Sequence, residues 1–325
     1  MSPDDAAPIV AHAFDGKGHS QPTAPNAMGG PLGWVHLNWV TPEGAAWLGG
    51  PSGLTEEVVD ALSAPETRPR CAIYQTPDGD GAFINLRGVN LHEGAEPEDM
   101  ISIRIWLEPK RIVSAWRRPL LAVDDLRDAS LRGHGPTTPG DFVARLALRL
   151  ADRAEPVIVT LSETVDGMEE AVLGGAAPER LRGALAAVRR RAIVLRRYMF
   201  PQRDALSTLA IEDLDWLTDR DRSRLREATD RITRLAEELD AIRERAAVVQ
   251  DQLVERRAEM MNRNMLILAI VAAIFLPLGL LTGLLGINVG GIPGAEVGWA
   301  FWAVCSLLGV TTLFQLWLYR RLRLI

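Results

Sequence analysis

The residues best placed to do chemistry in this chain carry no charge. Asn288 sits in the stretch "GLLTGLLGINVGGIPGAE", Gly279 to Glu296, between two of the most apolar runs in the sequence. Holding a bare carboxamide against hydrocarbon is costly unless the group is hydrogen-bonded or wet. A ring of such amides, contributed by several copies, can grip a hydrated cation through its water shell without any charged ligand. Counting back from Asn288 on a helix, one face carries Leu285, Gly283, Gly279, Leu276, Ala272, Leu268, Met265 and Asn262. With no charge on it, this face cannot hold a dehydrated divalent ion tightly. Gly279 and Gly283 also fit the small-xxx-small rule for close helix packing, so spacing alone leaves packing and pore lining both open. Pro277 marks a hinge or a packing accommodation partway along the run. One such helix cannot enclose a pore, so a pore requires several copies.

The usual catalytic constellations are missing. The two lysines in the sequence, Lys17 in "DGKGH" and Lys110, do not belong to a G-x-x-x-x-G-K-[ST] phosphate loop, which argues against ATP-driven transport by this chain alone. "GHGPTTPG" has glycines but reads as a loop. H-E-x-x-H and C-x-x-C do not occur. The five histidines, His12, His19, His36, His92 and His134, never fall at helical i, i+3 or i+4 spacing, so a Cys/His zinc cage is poorly supported. His12 and His19 could catch a metal from the N-terminal segment. Glu93, Glu96, Glu98 and Asp99 form an acidic cluster that reads either as a polar turn before a strand or as a cation site.

The elements around Asn288 are legible from charge. Residues 264–295 contain no charged side chain, Glu296 stands alone, and Val297 to Tyr319 is again uncharged. Each run exceeds the roughly 20 residues needed to cross a hydrocarbon core. Arg256, Arg257 and Arg263 precede the first run, Arg320, Arg321 and Arg323 follow the second, and the loop between has no Lys or Arg. The positive-inside rule then places both termini in the cytoplasm and the loop outside. Trp299, Trp302, Trp317 and Tyr319 suit an interfacial belt. "MSPDDAAPIV" has no basic segment followed by an apolar run, so residues 1–263 are expected to remain inside. The net charge of −6 divides into +2 for residues 264–325, from three Arg and one Glu, and therefore −8 for residues 1–263. That acidic balance argues against nucleic acid as a partner and tolerates nearby cations. Cys71 and Cys305 cannot plausibly pair, which fits a reducing compartment.

The first 263 residues read as α+β. Residues 1–30, rich in Pro, Gly, Ala and Asp, are expected to form a flexible tail. "GWVHLNWV", "CAIYQ", "GAFINLR", "ISIRIWLEP" and "RIVSAW" have strand character, and helical patterns occupy Leu54–Ser63 and Val123–Leu131. From Asp141 onward the pattern is almost wholly helical. Leu225, Ala228, Ile232, Leu235, Leu239, Ile242, Ala246, Val249 and Leu253 alternate spacings of three and four, the seam of a long helix packed on other helices. No Gly or Pro interrupts it between Asp221 and Pro277, so it should feed directly into the first span. A helix of about 60 residues reaches roughly 90 Å at 1.5 Å per residue. Such a rod is a stalk rather than an enzyme core. The expected organisation is a tail (1–30), an α/β domain with helices (31–217), a stalk helix (218–263), a first span (264–286), an outer loop (287–296), a second span (297–319) and a basic tail (320–325).

"GINVGGIPG", directly after an apolar helix ending "FLPLGLLTGLL", resembles the CorA superfamily of divalent-cation transporters, whose signature here is Gly-Met-Asn. Gly286, Ile287 and Asn288 occupy the signature, with Ile in place of Met. That change and the following "GGIPG" are similar to the ZntB branch of zinc transporters, as are "LRGVNLHEGAEPEDMISIRIW" (Leu86–Trp106) and "RRYMFPQRDAL" (Arg196–Leu206). The resemblance, over about residues 30–325, implies a homopentamer in a lipid bilayer. A cytoplasmic α/β/α funnel would lead through stalk helices into two C-terminal transmembrane helices, the first lining the pore. It implies Asn288 as the outer ring that meets the metal ion and Glu296 as an acidic position that concentrates cations. Asn262, Met265, Leu268, Leu276 and Gly279 match pore-lining positions. Relatives often carry a hydroxyl residue at Gly279; its absence argues against an intermediate polar station there. Zn²⁺ would be cargo, with no prosthetic group, and Mg²⁺, Co²⁺ or Ni²⁺ the alternatives. A membrane-anchored sensor or scaffold, relaying signals through the stalk, is the reading from another class.

Overall fold

The computed structural model describes residues 7–76, 79–174, 178–287, 294 and 297–322. It divides into two compact units, Met1–Gln250 and Asp251–Ile325. The first is built on a seven-stranded sheet: β1 (Ile9–Phe14), β2 (Ser20–Thr23), β3 (Leu32–Asn38), β4 (Arg70–Thr76), β5 (Gly79–Gly88), β6 (Ile101–Glu108) and β7 (Arg111–Trp116). The spatial order is β2-β1-β3-β7-β6-β5-β4, in which β3 and β7 pair in parallel and every other neighbour pair is antiparallel. The five strand-like stretches of the sequence are thus β3 to β7.

The expectation of a flexible tail over residues 1–30 is corrected. β1 pairs with β3 from Ile9↔Leu37 to Phe14↔Leu32, and β2 closes the sheet edge beside it. Proline and glycine dominate the composition there and hide the short apolar run "IVAHAF". The partner that gives this run its hydrogen bonds lies some twenty residues away, where local pattern cannot reveal it. His12, which on a tail could have caught a metal, is instead buried in β1 and stacked on Trp34 at 5.5 Å between ring centres.

Period-two alternation sorts side chains onto the two sheet faces. Ala11, Val35, Leu37, Phe83, Trp106, Val113 and Ala115 pack with α1 (Pro42–Gly49) and α2 (Glu56–Ser63). Helix α1, not evident from pattern, is only two turns long; Thr41 caps it by accepting from Gly44 N–H at 3.1 Å, and Pro42 starts it. The opposite face carries Trp34, His36 and Ser114, and Phe142 of α4 (Pro139–Leu173) meets Trp34 edge-on at 5.1 Å. There the Trp34 indole N–H donates to Ser114 Oγ at 2.8 Å, and His36 Nδ1 lies 2.7 Å from the same oxygen. Desolvation, then the nearby Arg127 and His12, push the His36 pKa down to about 3, so this ring is neutral. With α3 (Leu121–Leu131) and α5 (Pro178–Ile211) on that side, the layers are α/β/α.

Helix α6 (Asp219–Leu285) begins in the first unit and is unbroken into the second. Every seam residue expected from the heptad spacing, from Leu225 to Leu253, is buried. Around the seam, Arg231 of α6 pairs with Asp152 and Glu155 of α4 at 2.7 and 2.8 Å, while Arg245 pairs with Asp166 and Glu169. These pairs climb both helices together, so α4 and α6 run parallel. Arg196 of α5 meets Asp240 at 2.5 Å and Arg189 meets Gln250 at 3.2 Å, the descending order of an antiparallel neighbour.

The N-termini of α4 and α6 are fastened to each other. Each opens on Thr-x-x-Asp: Asp141 N–H donates to Thr138 Oγ at 3.1 Å and Asp221 N–H to Thr218 Oγ at 3.2 Å, and at α6 the Asp221 carboxylate accepts in return from Thr218 N–H at 3.1 Å, a full capping box. The Thr138 hydroxyl then donates across to Asp221 at 2.6 Å, and the buried Asp141 carboxylate receives Arg145 and, from α6, Arg224. Gly140 permits this approach, because a Cβ there would lie 2.5 Å from Leu217 and 2.6 Å from Asp221.

Candidate functional site

The second unit contains the end of α6 and helix α7 (Ala300–Arg321), both long and apolar enough to cross a membrane. Neither span buries its apolar stretch within the chain. A soluble protein cannot leave so much contiguous apolar surface in water, so the surroundings of this hairpin must be lipid or other copies. The first span of uncharged sequence is helical to Leu285 as the end of α6, and the second is helical from Ala300 as α7, with residues 297–299 outside the helix. Arg321 lies over the Trp317 ring at 5.3 Å, an amphipathic pair suited to a membrane–water boundary.

Two faces of α6 can be told apart in this segment. The partly buried positions are Ile270, Ile274, Pro277, Leu278 and Leu281, turned toward α7. The face read from the sequence, Asn262, Met265, Leu268, Ala272, Leu276, Gly279 and Gly283, is exposed at every position; Leu268 and Leu276 are 70% and 72% exposed. At 3.6 residues per turn the two sets lie about half a turn apart. A Cβ added at Gly279 or Gly283 would meet nothing within 4 Å, so these glycines are not packing sites for α7 within the chain. The candidate face is therefore left open by its own hairpin. Gly286 and Ile287 follow the helix end, where Gly286 N–H donates to Thr282 O at 3.0 Å. Asn288 and Glu296 lie outside the described residues.

Pro277 does not break α6. It does remove the N–H that would otherwise bond to Ala273 O one turn earlier. That freed carbonyl is met by Gln315 of α7, whose Nε2 lies 3.4 Å away. A polar side chain on the neighbouring helix thus answers a backbone group that hydrocarbon cannot satisfy. Sequence reasoning passed over Gln315, although it is the one amide side chain in the uncharged second span. The Thr282 hydroxyl is occupied in the same way, bonding back to Leu278 O at 2.9 Å.

The soluble-domain candidates are not gathered into a metal site. Among the described residues no three His, Cys, Asp or Glu side chains converge to hold an ion. The acidic cluster resolves into a structural contact: Arg191 of α5 pairs with Glu96 and, at 3.1 Å, with Glu98. Cys71 and Cys305 are both free, and burial, then Glu212, raise the Cys71 thiol to about 12, which keeps it protonated and unreactive. The two soluble stretches that carried the family resemblance do meet. Gln202 of α5 accepts from Arg87 N–H at 2.7 Å, and the Arg87 guanidinium lies 4.0 Å from the centre of the Tyr198 ring.

Known proteins match nearly the whole chain. The family model for CorA-like Mg²⁺ transporter proteins matches residues 30–321. The divalent cation transporter CmaX of Pseudomonas aeruginosa is 42% identical over 290 residues, 89% of this chain and 86% of that protein. The zinc transport protein ZntB of Yersinia enterocolitica is 36% identical over 312 residues, covering 95% and 93%. Among solved structures, full-length CmaX superposes with a TM-score of 0.81 at 39% identity over 98% of this chain and 97% of that one. CorA from Methanocaldococcus jannaschii, at 18% identity, shares the fold with a TM-score of 0.82 over 97% and 98%. With its α/β/α domain, its long helix and its apolar hairpin, this chain belongs to the family of CorA-like transporters and is not an enzyme.

Proposed function

We propose that five copies of this chain form a pore that carries Zn²⁺ across a bacterial inner membrane, with both termini in the cytoplasm. The observation that supports this most directly is the open face of α6, exposed from Asn262 to Gly283 on the side turned away from α7. Five such faces around an axis would make a neutral, mostly apolar wall, suited to passing a hydrated ion rather than trapping a bare one. Gly286, Ile287 and Asn288 would form the entrance, Asn288 meeting the ion's water shell, with Glu296 raising the local cation concentration. The cytoplasmic domain would gate the pore. Zinc is favoured over Mg²⁺, Co²⁺ or Ni²⁺ by the ZntB-like Ile287 and by similarity to proteins named as zinc transporters.

Residues 264–295 and 297–319 contain no Asp or Glu to carry a proton, which favours channel-like flow over proton coupling. The deciding experiment is Zn²⁺ flux into liposomes holding the purified protein, beside Mg²⁺ and beside Asn288→Ala, with and without a pH gradient. Zinc flux that Asn288→Ala abolishes is the expected result. Flux of neither ion, or flux indifferent to Asn288, would return the chain to the sensor or scaffold reading. Strict dependence on the pH gradient would sink the channel view.

A further inference from the structure

A cleft of about 360 Å³ opens in the α/β domain where β5 ends and β6 begins. Its walls carry Arg87, Arg117 and Arg118, the hydroxyl residues Thr67 and Ser102, and Met100 and Ile101. No carboxylate lines it, and none of the three arginines forms an ion pair among the described residues. In a domain whose net charge is strongly negative, three cations gathered without a counter-ion call for one.

Arg87 is held in place for such a role. Its Nη2 donates to Met100 O at 2.5 Å, its face rests on Tyr198, and its Nε–H is buried with no partner in the protein. The guanidinium is half-buried, so these contacts fix its position while part of its edge stays open to the cleft. Burial weakens the Arg87 cation, Tyr198 partly restores it, and the charges of Arg118 and Arg197 weaken it again. Burial would raise the Tyr198 phenol, but Arg87 and Arg197 outweigh that and hold it below its ordinary value. No carboxylate is among the neighbours that shift either group.

We propose that this cleft binds a phosphate group, with Arg87 as the fixed donor and Arg117 and Arg118 closing on it from the rim. A guanidinium fork matches two oxygens of a tetrahedral oxyanion, and the hydroxyls of Thr67 and Ser102 add donors of their own. The volume is near the lower bound of small-molecule pockets and the lining is polar, which suits a compact, multiply charged anion better than a large apolar ligand. The phosphate belongs either to a soluble di- or polyphosphate or to an anionic lipid headgroup, and the two sources are separable.

The test uses the full-length protein in neutral detergent, titrated calorimetrically with inorganic pyrophosphate and inorganic phosphate in low-chloride buffer. Arg117→Ser/Arg118→Ser is the informative variant, because both side chains are exposed and the one protein bond they are seen to make is Arg118 to Asp99 O at 3.5 Å. Pyrophosphate should bind more tightly than phosphate, weaken with added salt, and lose about tenfold or more in affinity in the double variant, as for loss of a charged hydrogen bond. A second arm compares thermal midpoints in nanodiscs of phosphatidylglycerol and phosphatidylcholine. Stabilisation by the anionic lipid alone, absent from the double variant and without pyrophosphate binding, would assign the site to a headgroup. If neither probe distinguishes wild type from variant, the cleft is not a phosphate site. Asn288→Ala should bind pyrophosphate as the wild type does, so this result stands apart from the transport reading.

Discussion

Between Leu225 and Leu253, helix α6 buries a residue at every third or fourth position. Between Met260 and Leu285, on the same helix, it buries none. Both segments are helical, so backbone preference does not separate them. The difference lies in what each segment is surrounded by. In water, a narrow apolar seam is driven against α4 and α5 while the other faces carry charge that pairs with those helices. Lipid offers no such drive, so the second segment can be apolar all round, and the polar groups that survive in it each need a partner. Gln315 answering Ala273 O is one case and Thr282 bonding its own helix is another. The burial pattern of one chain therefore separates what the chain completes by itself from what it leaves for surrounding molecules.

The contrast can be broken most sharply at Asn288. On the proposed pore, Asn288→Ala should abolish cation flux in liposomes while leaving the thermal midpoint of the purified protein unchanged, since the buried seam of α6 ends at Leu253. A shifted midpoint would show that Asn288 serves folding instead. Next in size is the seam. Ile232→Ala, at a fully buried position, should destabilise the helical layer by about 2–5 kcal/mol, read as faster amide hydrogen exchange in α4, α5 and α6. Leu268→Ala, on the exposed face, should leave that exchange untouched.

Asp141→Asn tests the junction of α4 and α6. It weakens the charged pairs with Arg145 and Arg224 at a site 1% exposed, for a cost of about 1–3 kcal/mol in chemical denaturation. His36 makes stability depend on pH. Its folded pKa of about 3 lies below its ordinary 6.5, so both states are neutral above 6.5 and the unfolded chain alone takes up a proton as pH falls toward 3. Stability should decline across that window, and His36→Gln should remove about one proton from the slope; an unchanged slope would place the titration elsewhere. The smallest effect is at Gln315. Gln315→Leu should cost about 0.6 kcal/mol, the usual scale for a hydrogen bond between membrane helices, seen as local amide exchange just after Pro277.

The legible parts of the fold are those whose information is local. β3 to β7, α2, α3 and the whole seam of α6 follow from period-two or heptad spacing, and each occurs where the spacing places it. β1 and β2 did not show, because their residues take strand geometry from pairing with β3 rather than from their own composition. Helix α1 is too short for periodicity. The Thr-x-x-Asp signals at Thr138 and Thr218 were available in the sequence as N-caps, yet nothing local indicates that the two caps bond to each other. For the candidate site, the face from Asn262 to Gly283 could be drawn by counting residues. That it is the face α7 leaves open required the hairpin itself.

By itself, then, the sequence determines two uncharged spans, an uninterrupted helix leading into the first, and an alternating sheet domain before it, because hydrophobic period and the absence of charge are properties of neighbouring residues. Tertiary structure decided the parallel pairing of β3 with β7, the crossed caps of α4 and α6, the meeting of Gln315 with the carbonyl freed by Pro277, and the gathering of Arg87, Arg117 and Arg118. In each case the partners lie some thirty to eighty residues apart, and what brings them together, strand pairing, a hydrogen bond or the packing of the elements that carry them, exists only after the chain has closed.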